Sequence, residues 1–256
     1  MTRKLRFILL IPVLSVGVYV ALHGMAWFDT VNPVVMQAVS FTGCTVAALS
    51  FERGDYLRSA WGLYMIGDLL LLVSAALSAA FGLQSMLYPR MACMLLANVA
   101  GPAGSYLFGS ALALAGLELE AGRWTRRSGM LAGFAVGCVL GGPALYAEVG
   151  ATVSDGNLNM LIETFGTLGD IANITFTAPI IFTALALRGG RVAWVWSLLS
   201  CCLLLWLGYD LLTGLAPAHA SLIEGVRVAA LSFSGAAGIA QRIVIAPSST
   251  AEAPVA

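Results

Sequence analysis

An all-α bundle of membrane-spanning helices is the fold class this sequence predicts, on three observations. Apolar residues make up 59% of the chain and charged residues only 10%, more apolar surface than a water-soluble globule of this length buries. The apolar residues come in runs separated by short loops, and a spanning helix needs about 20 of them. Basic residues fall in alternate loops, as they do when one face of a membrane retains them.

Eight runs qualify: Leu5–Met25, Pro33–Phe51, Ser59–Gly82, Met91–Gly116, Gly129–Gly150, Thr164–Leu187, Val192–Leu212 and Ala220–Ala240. Of thirteen Lys and Arg residues, all but Arg90 and Arg227 fall before the first span, after the last, or in every second loop. Both termini are therefore predicted to be cytoplasmic, in a bacterial inner membrane. The zero net charge hides this sidedness and points to no nucleic-acid partner.

The first span also fits a secretory signal, with a basic start and small residues Gly24 and Ala26, and cleavage would leave seven spans. Its full bilayer length favours an uncleaved anchor. Spans three and seven open alike, with Arg58-Ser-Ala-Trp61 and Arg191-Val-Ala-Trp194. Two sets of four spans would be parallel repeats, because an even number of crossings restores the starting side. Arg followed by Trp is also what an inner membrane boundary selects, and Asp68 and Asp210 stand at different distances from their Trp.

In span four, Gly101, Ser105 and Gly109 form a small-residue groove. In span five, Gly129, Gly133, Gly137 and Gly141 recur every fourth residue on one helix face, which lets a neighbouring backbone approach. These two faces are expected to meet. Pro102, Pro143 and Pro179 each lie inside a span and free a carbonyl. The five cysteines fall within spans, where they read as small apolar packing residues rather than disulfides. Met91, Cys93 and Met94 point in different directions around a helix, so neither a metal nor a cofactor is expected. Residues 1–242 read as one integral membrane domain, and 243–256 as a disordered cytoplasmic tail.

Ionisable groups inside a bilayer are costly and are candidate functional residues by default. Here they are Asp68, Asp170, Asp210, Glu224 and Arg227, with Asn98, Asn173 and Glu148 beside them. Helical rise places Asp68 and Asn98 near mid-bilayer and the others in the outer half. In span six, Glu163, Thr167, Asp170, Asn173 and Thr177 share one face, so Asp170 and Asn173 can bind one ligand or each other. Glu224 and Arg227, one turn apart, can pair. The surplus of acids suits a cationic or donor-rich ligand, or protons. Asp68, Asp170 and Asp210 are expected to converge on one cavity open to the outside.

Several chemistries lack their residues. The sole lysine, Lys4, precedes the bundle, so a retinal Schiff base has no attachment point. His23 and His219 are too few for haem pairs or a His-rich zinc site. Ser234, in Phe-Ser-Gly, has no histidine at core depth to serve as base. Tyr209-Asp210, Gly169-Asp170 and Pro143-Ala-Leu resemble motifs of intramembrane aspartyl proteases, but in reversed order and without Gly-x-Gly-Asp.

Arg58-Ser-Ala-Trp61, Gly67-Asp68-Leu-Leu, Gly169-Asp170, Arg191 with Trp194, and Gly208-Tyr-Asp210-Leu-Leu together resemble the polytopic N-terminal membrane sensory modules of bacterial diguanylate cyclases and histidine kinases. The resemblance covers about half the chain. It implies sensing, with Asp68, Asp170 and Asp210 as the matched positions. No cyclase or kinase domain follows Arg242, so signalling would need a separate partner besides membrane lipids. The expected function is ligand binding or sensing. A small proton-coupled transporter is the alternative, and a membrane-embedded hydrolase the second alternative.

The topology is directly testable. Reporter fusions after Gly156 and after Arg242 should read outside and inside respectively; the opposite pair of signals contradicts the orientation.

Overall fold

A bilayer offers no partners for backbone N–H and C=O groups, so a chain that crosses it must satisfy them within each crossing. The computed structural model describes residues 7–82, 86–114, 122–155, 158–187, 190–215 and 218–246, and among them every regular element is an α-helix. In chain order these are α1 (Leu10–Leu22), α2 (Ala26–Ala48), α3 (Tyr56–Phe81), α4 (Leu87–Leu114), α5 (Gly122–Asp155), α6 (Leu158–Ala186), α7 (Arg191–Leu215) and α8 (Ala220–Ile245). Helices α2 to α8 are long and apolar enough to cross a membrane. Large apolar side chains remain exposed around the bundle, among them Val20, Leu131 and Val139, a surface suited to lipid and costly in water. The protein is a polytopic membrane-embedded helical bundle.

Helix ends differ from the sequence expectation where polar residues open a helix. Helix α2 begins at Ala26, well before Pro33: the polar residues Asp29, Thr30 and Asn32 interrupt the apolar run in its first two turns without interrupting the helix. Asp29 accepts hydrogen bonds from the Gly24 amide, at 3.1 Å for the nearer oxygen. Helix α1 has only 13 residues, about 20 Å at the usual rise, and is shorter than the run from Leu5. Helix α8 continues to Ile245, so the first residues of the expected tail are helical, while 247–256 lie outside the described residues.

Neighbour packing closes a cycle of six helices: α2, α3, α4, α6, α7, α8 and back to α2. Helix α1 packs outside on α8, and α5 outside on α6. Exchanging α2–α3–α4 with α6–α7–α8 reproduces every contact in the cycle, a two-fold order of parallel triplets. The outer helices break it, since α5 packs on α6 rather than on α4, as α1 packs on α8. A four-plus-four repeat therefore survives only as three plus three in the packing.

Glycine permits the closest of these contacts. A Cβ on Gly43 of α2 would lie 2.4 Å from the Gly235 carbonyl oxygen of α8, and one on Gly238 would lie 2.1 Å from the Gly43 oxygen. Gly129, Gly133, Gly137 and Gly141 of α5 meet Phe182, Ile174 with Thr175, and Ile171 of α6. Gly101 and Gly109 of α4 also face α6, at Asn173 and Pro179. The expected contact between the two glycine faces does not form, because α6 receives both. Two carbonyls that prolines cannot serve lie at these seams. Pro102 leaves the Asn98 oxygen, which a Cβ on Gly169 would approach to 3.0 Å, and Pro179 leaves the Thr175 oxygen, 3.3 Å from a Cβ on Gly133.

Both entry arginines serve helix ends. Arg58 donates to the Phe51 carbonyl at 3.1 Å just beyond α2, and Arg191 donates to Ile243 of α8 at 3.2 Å. Each places a cation at a helix C-terminus, the electrostatically favourable end.

These contacts rank substitutions. Gly137→Leu should lower stability by about 1–3 kcal/mol, and Gly43→Leu by more, because its obstacle is backbone. Gly62→Ala, with nothing within 4 Å of its Cβ, should not destabilise. Melting temperatures in detergent check the order; equal values for all three would contradict the packing.

Candidate functional site

The bundle is filled differently at its two ends. Toward the end assigned to the cytoplasm, Trp61 of α3, Phe108 of α4 and Trp196 of α7 pack edge to face, with centroids 4.9 Å and 5.7 Å apart along the chain of contacts. Trp61 is fully buried, as are Ala236, Ala237 and Ala240 of α8 in the same cluster. These side chains form a mostly apolar plug in the inner half of the bundle.

Asp68 stands above it, buried between α3 and α2. Its carboxylate accepts from Gln37 Nε2 at 3.0 Å and Ser40 Oγ at 2.7 Å. Cys44, one turn beyond Ser40, lies 3.5 Å from Ser234 of α8. Gln37, Ser40 and Cys44 thus present a polar stripe on α2, visible in the sequence as one spaced by three and four but not recognised there as the partner of Asp68.

A second polar chain crosses the bundle beside it. Ser105 of α4 donates to Asn173 Oδ1 of α6 at 3.1 Å and lies 2.7 Å from the Tyr64 hydroxyl of α3, so Tyr64 supplies the proton of that shorter bond. Asn173 is thereby engaged with Ser105 rather than with Asp170. Thr177 donates to the Asn173 carbonyl at 2.7 Å. Asn98 sits where α4 meets Gly166 and Gly169 of α6, so its surroundings are a helix seam. No spacing in the sequence links Tyr64 to Ser105; only packing of α3 on α4 does.

The outer end holds the remaining ionisable groups. Thr167 donates to both carboxylate oxygens of Glu148 at 3.1 Å. Arg227 forms a two-point ion pair with Glu224, Nη2–Oε1 2.6 Å and Nε–Oε2 2.8 Å. The side chain of Glu163 lies outside the described residues. Asp170 of α6 stands within electrostatic range of Glu148 and of Asp210 of α7, and Tyr209 lies in the field of Asp170, Asp210, Glu224 and Arg227. Among the described residues neither Asp170 nor Asp210 has a hydrogen-bond partner. The expected convergence of three acids is therefore corrected to two. Asp170 of α6 and Asp210 of α7 lie within electrostatic range of each other, whereas Asp68 is held by Gln37 and Ser40.

Comparison with protein families, with curated proteins and with solved structures finds no match for this chain. The site is thus read from its geometry. Two acids half-buried in the bundle, with no cation or donor between them, can share a proton or accept a cationic group.

Asp68 should behave as a structural residue. Asp68→Ala would orphan the Gln37 and Ser40 donors, at a cost of about 1–3 kcal/mol. A lowered melting temperature is expected; an unchanged one would show that these donors find other partners and the cluster does not hold α2 to α3.

Proposed function

We propose that this is a ligand-binding, sensory protein of a bacterial inner membrane, and that it takes a cationic or donor-rich ligand from the extracytoplasmic side between Asp170 and Asp210. The observation that carries this reading is the contrast among the acids. Asp68 accepts hydrogen bonds from Gln37 and Ser40 and Glu224 pairs with Arg227, while Asp170 and Asp210 lie within electrostatic range of each other with no hydrogen-bond partner among the described residues. Like charges so placed are unfavourable until something positive lies between them. Such an arrangement is retained where it is used.

The mostly apolar plug around Trp61, Phe108 and Trp196 supports binding over passage, because it fills the inner half below an occupied outer site. The likeness to sensory modules agrees with it, and the output would come from a separate signalling partner. The two-fold order of the inner six helices favours a second reading, a small proton-coupled transporter, in which the plug would open as the triplets rock.

Neutralising one acid separates binding from folding. Asp170→Asn and Asp210→Asn keep shape and remove the repulsion, so insertion should be normal and the melting temperature equal or higher. Native mass spectrometry of gently extracted protein should show a retained cationic molecule in the parent chain and not in Asp170→Asn. Early melting of both variants would make the acids structural and refute the reading. Proton uptake into liposomes loaded with a pH-sensitive dye would favour the transporter instead.

A further inference from the structure

A cavity lined by neither Asp170 nor Asp210 lies elsewhere in the bundle. It occupies about 410 Å³ at the outer end of the bundle, where the end of α1 and the starts of α2 and α8 meet, a volume in the range of small-molecule sites. Its floor and mouth differ. Tyr19 and Asn32 line it while being only 4% and 6% exposed, whereas His23 and Asp29 are open to the surface. Glu224 and Pro33 complete the wall.

The polar groups of this cavity are acceptors for the most part. The Tyr19 hydroxyl spends its proton on the Ser221 carbonyl at 2.8 Å, leaving only lone pairs. Asp29 is held from one side by the Gly24 amide and by His23 at 3.1 Å. Pro33 has no N–H to return to the Asp29 carbonyl four residues before it. The Glu224 carboxylate, whose two oxygens both hold Arg227, lines the wall as a paired group. Asn32 is the decisive residue. Its amide is buried, lines the cavity, and has no hydrogen-bond partner among the described residues. A ligand in the cavity would supply that amide with a partner.

The ligand chemistry follows from these groups. Acceptors and carboxylates call for N–H donors and positive charge. Among the described residues no three His, Cys, Asp or Glu side chains group as a metal ion requires, so the charge belongs to an organic cation. Proline and the Tyr19 ring offer it apolar walls. We infer that the cavity between α1, α2 and α8 binds a protonated primary amine carrying a small apolar body, its ammonium directed to Asn32 and Asp29. A free amine and the ethanolamine headgroup of a phospholipid share this chemistry. The site does not depend on the Asp170–Asp210 pair.

The test uses the full chain in nanodiscs of phosphatidylcholine, whose headgroup has no N–H to donate. Titration with 2-phenylethylammonium chloride should raise the melting temperature saturably, and the neutral 2-phenylethanol should not. Asn32→Leu and Asp29→Asn should each weaken the amine by about tenfold or more, the usual loss of a charge-assisted hydrogen bond. Asp170→Asn should leave it unchanged, which separates this site from the outer acid pair. Nanodiscs containing phosphatidylethanolamine identify the source: if the lipid is the natural occupant, it raises the starting melting temperature and competes with the added amine, and if a free amine is, it does neither. Asp29 is exposed, so its variant remains informative if Asn32→Leu does not fold. An equal effect of the alcohol, no effect of either amine, or full binding in Asp29→Asn would overturn the assignment.

Discussion

Backbone-to-backbone approach at glycine is the constraint on which this bundle depends. Lipid tails are as apolar as leucine, so helices in a membrane gain little by hiding apolar side chains from it, and close packing must hold them together. The α2–α8 seam at Gly43, Gly235 and Gly238 joins the two ends of the six-helix cycle. The α4–α6 seam joins its two triplets in the same way, with Gly166 and Gly169 against Asn98. Both are contacts between parallel helices, because an odd number of crossings intervenes, one between α4 and α6 and five between α2 and α8. A side chain at either seam would open the cycle and with it the spacing of every polar group inside.

That spacing gives the two ends of the bundle different physics. The inner half is filled by Trp61, Phe108, Trp196 and the small residues of α8, a mostly apolar cluster in which the Trp61 indole N–H is buried without a partner among the described residues. The outer half keeps a smaller apolar cluster around Tyr19, Phe28 and Met36, and beside it lie Glu148, Asp170, Asp210, Glu224 and Arg227. Partnered and unpartnered acids stand side by side there: Glu148 accepts from Thr167 and Glu224 pairs with Arg227, while Asp170 and Asp210 have no hydrogen-bond donor among the described residues.

Much of the fold was legible in the sequence because lipid imposes a simple rule: long apolar runs, and arginines on one side. The α5 glycine face could be read from its four-residue spacing, but its partner could not. Spacing reports a helix face, and only packing reports what that face meets, so the groove of α4 was paired with α5 when both in fact contact α6. The start of α2 was misplaced for a related reason, since hydropathy ends where Asp29 and Asn32 begin while helical hydrogen bonding does not.

The site was less legible. Each acid was found by its cost in a membrane, yet that cost does not say which acid has a partner. Gln37 and Ser40 hold Asp68 from the preceding helix, and among the described residues nothing comparable reaches Asp170. The account's central claim is that water enters as far as Tyr209 and stops above the aromatic plug. Hydroxyl-radical footprinting of the reconstituted protein, read by peptide mass spectrometry, tests it most directly. Oxidation is expected at Tyr209 and absent at Trp61, Phe108 and Trp196; equal oxidation at both levels, or none at Tyr209, would contradict it.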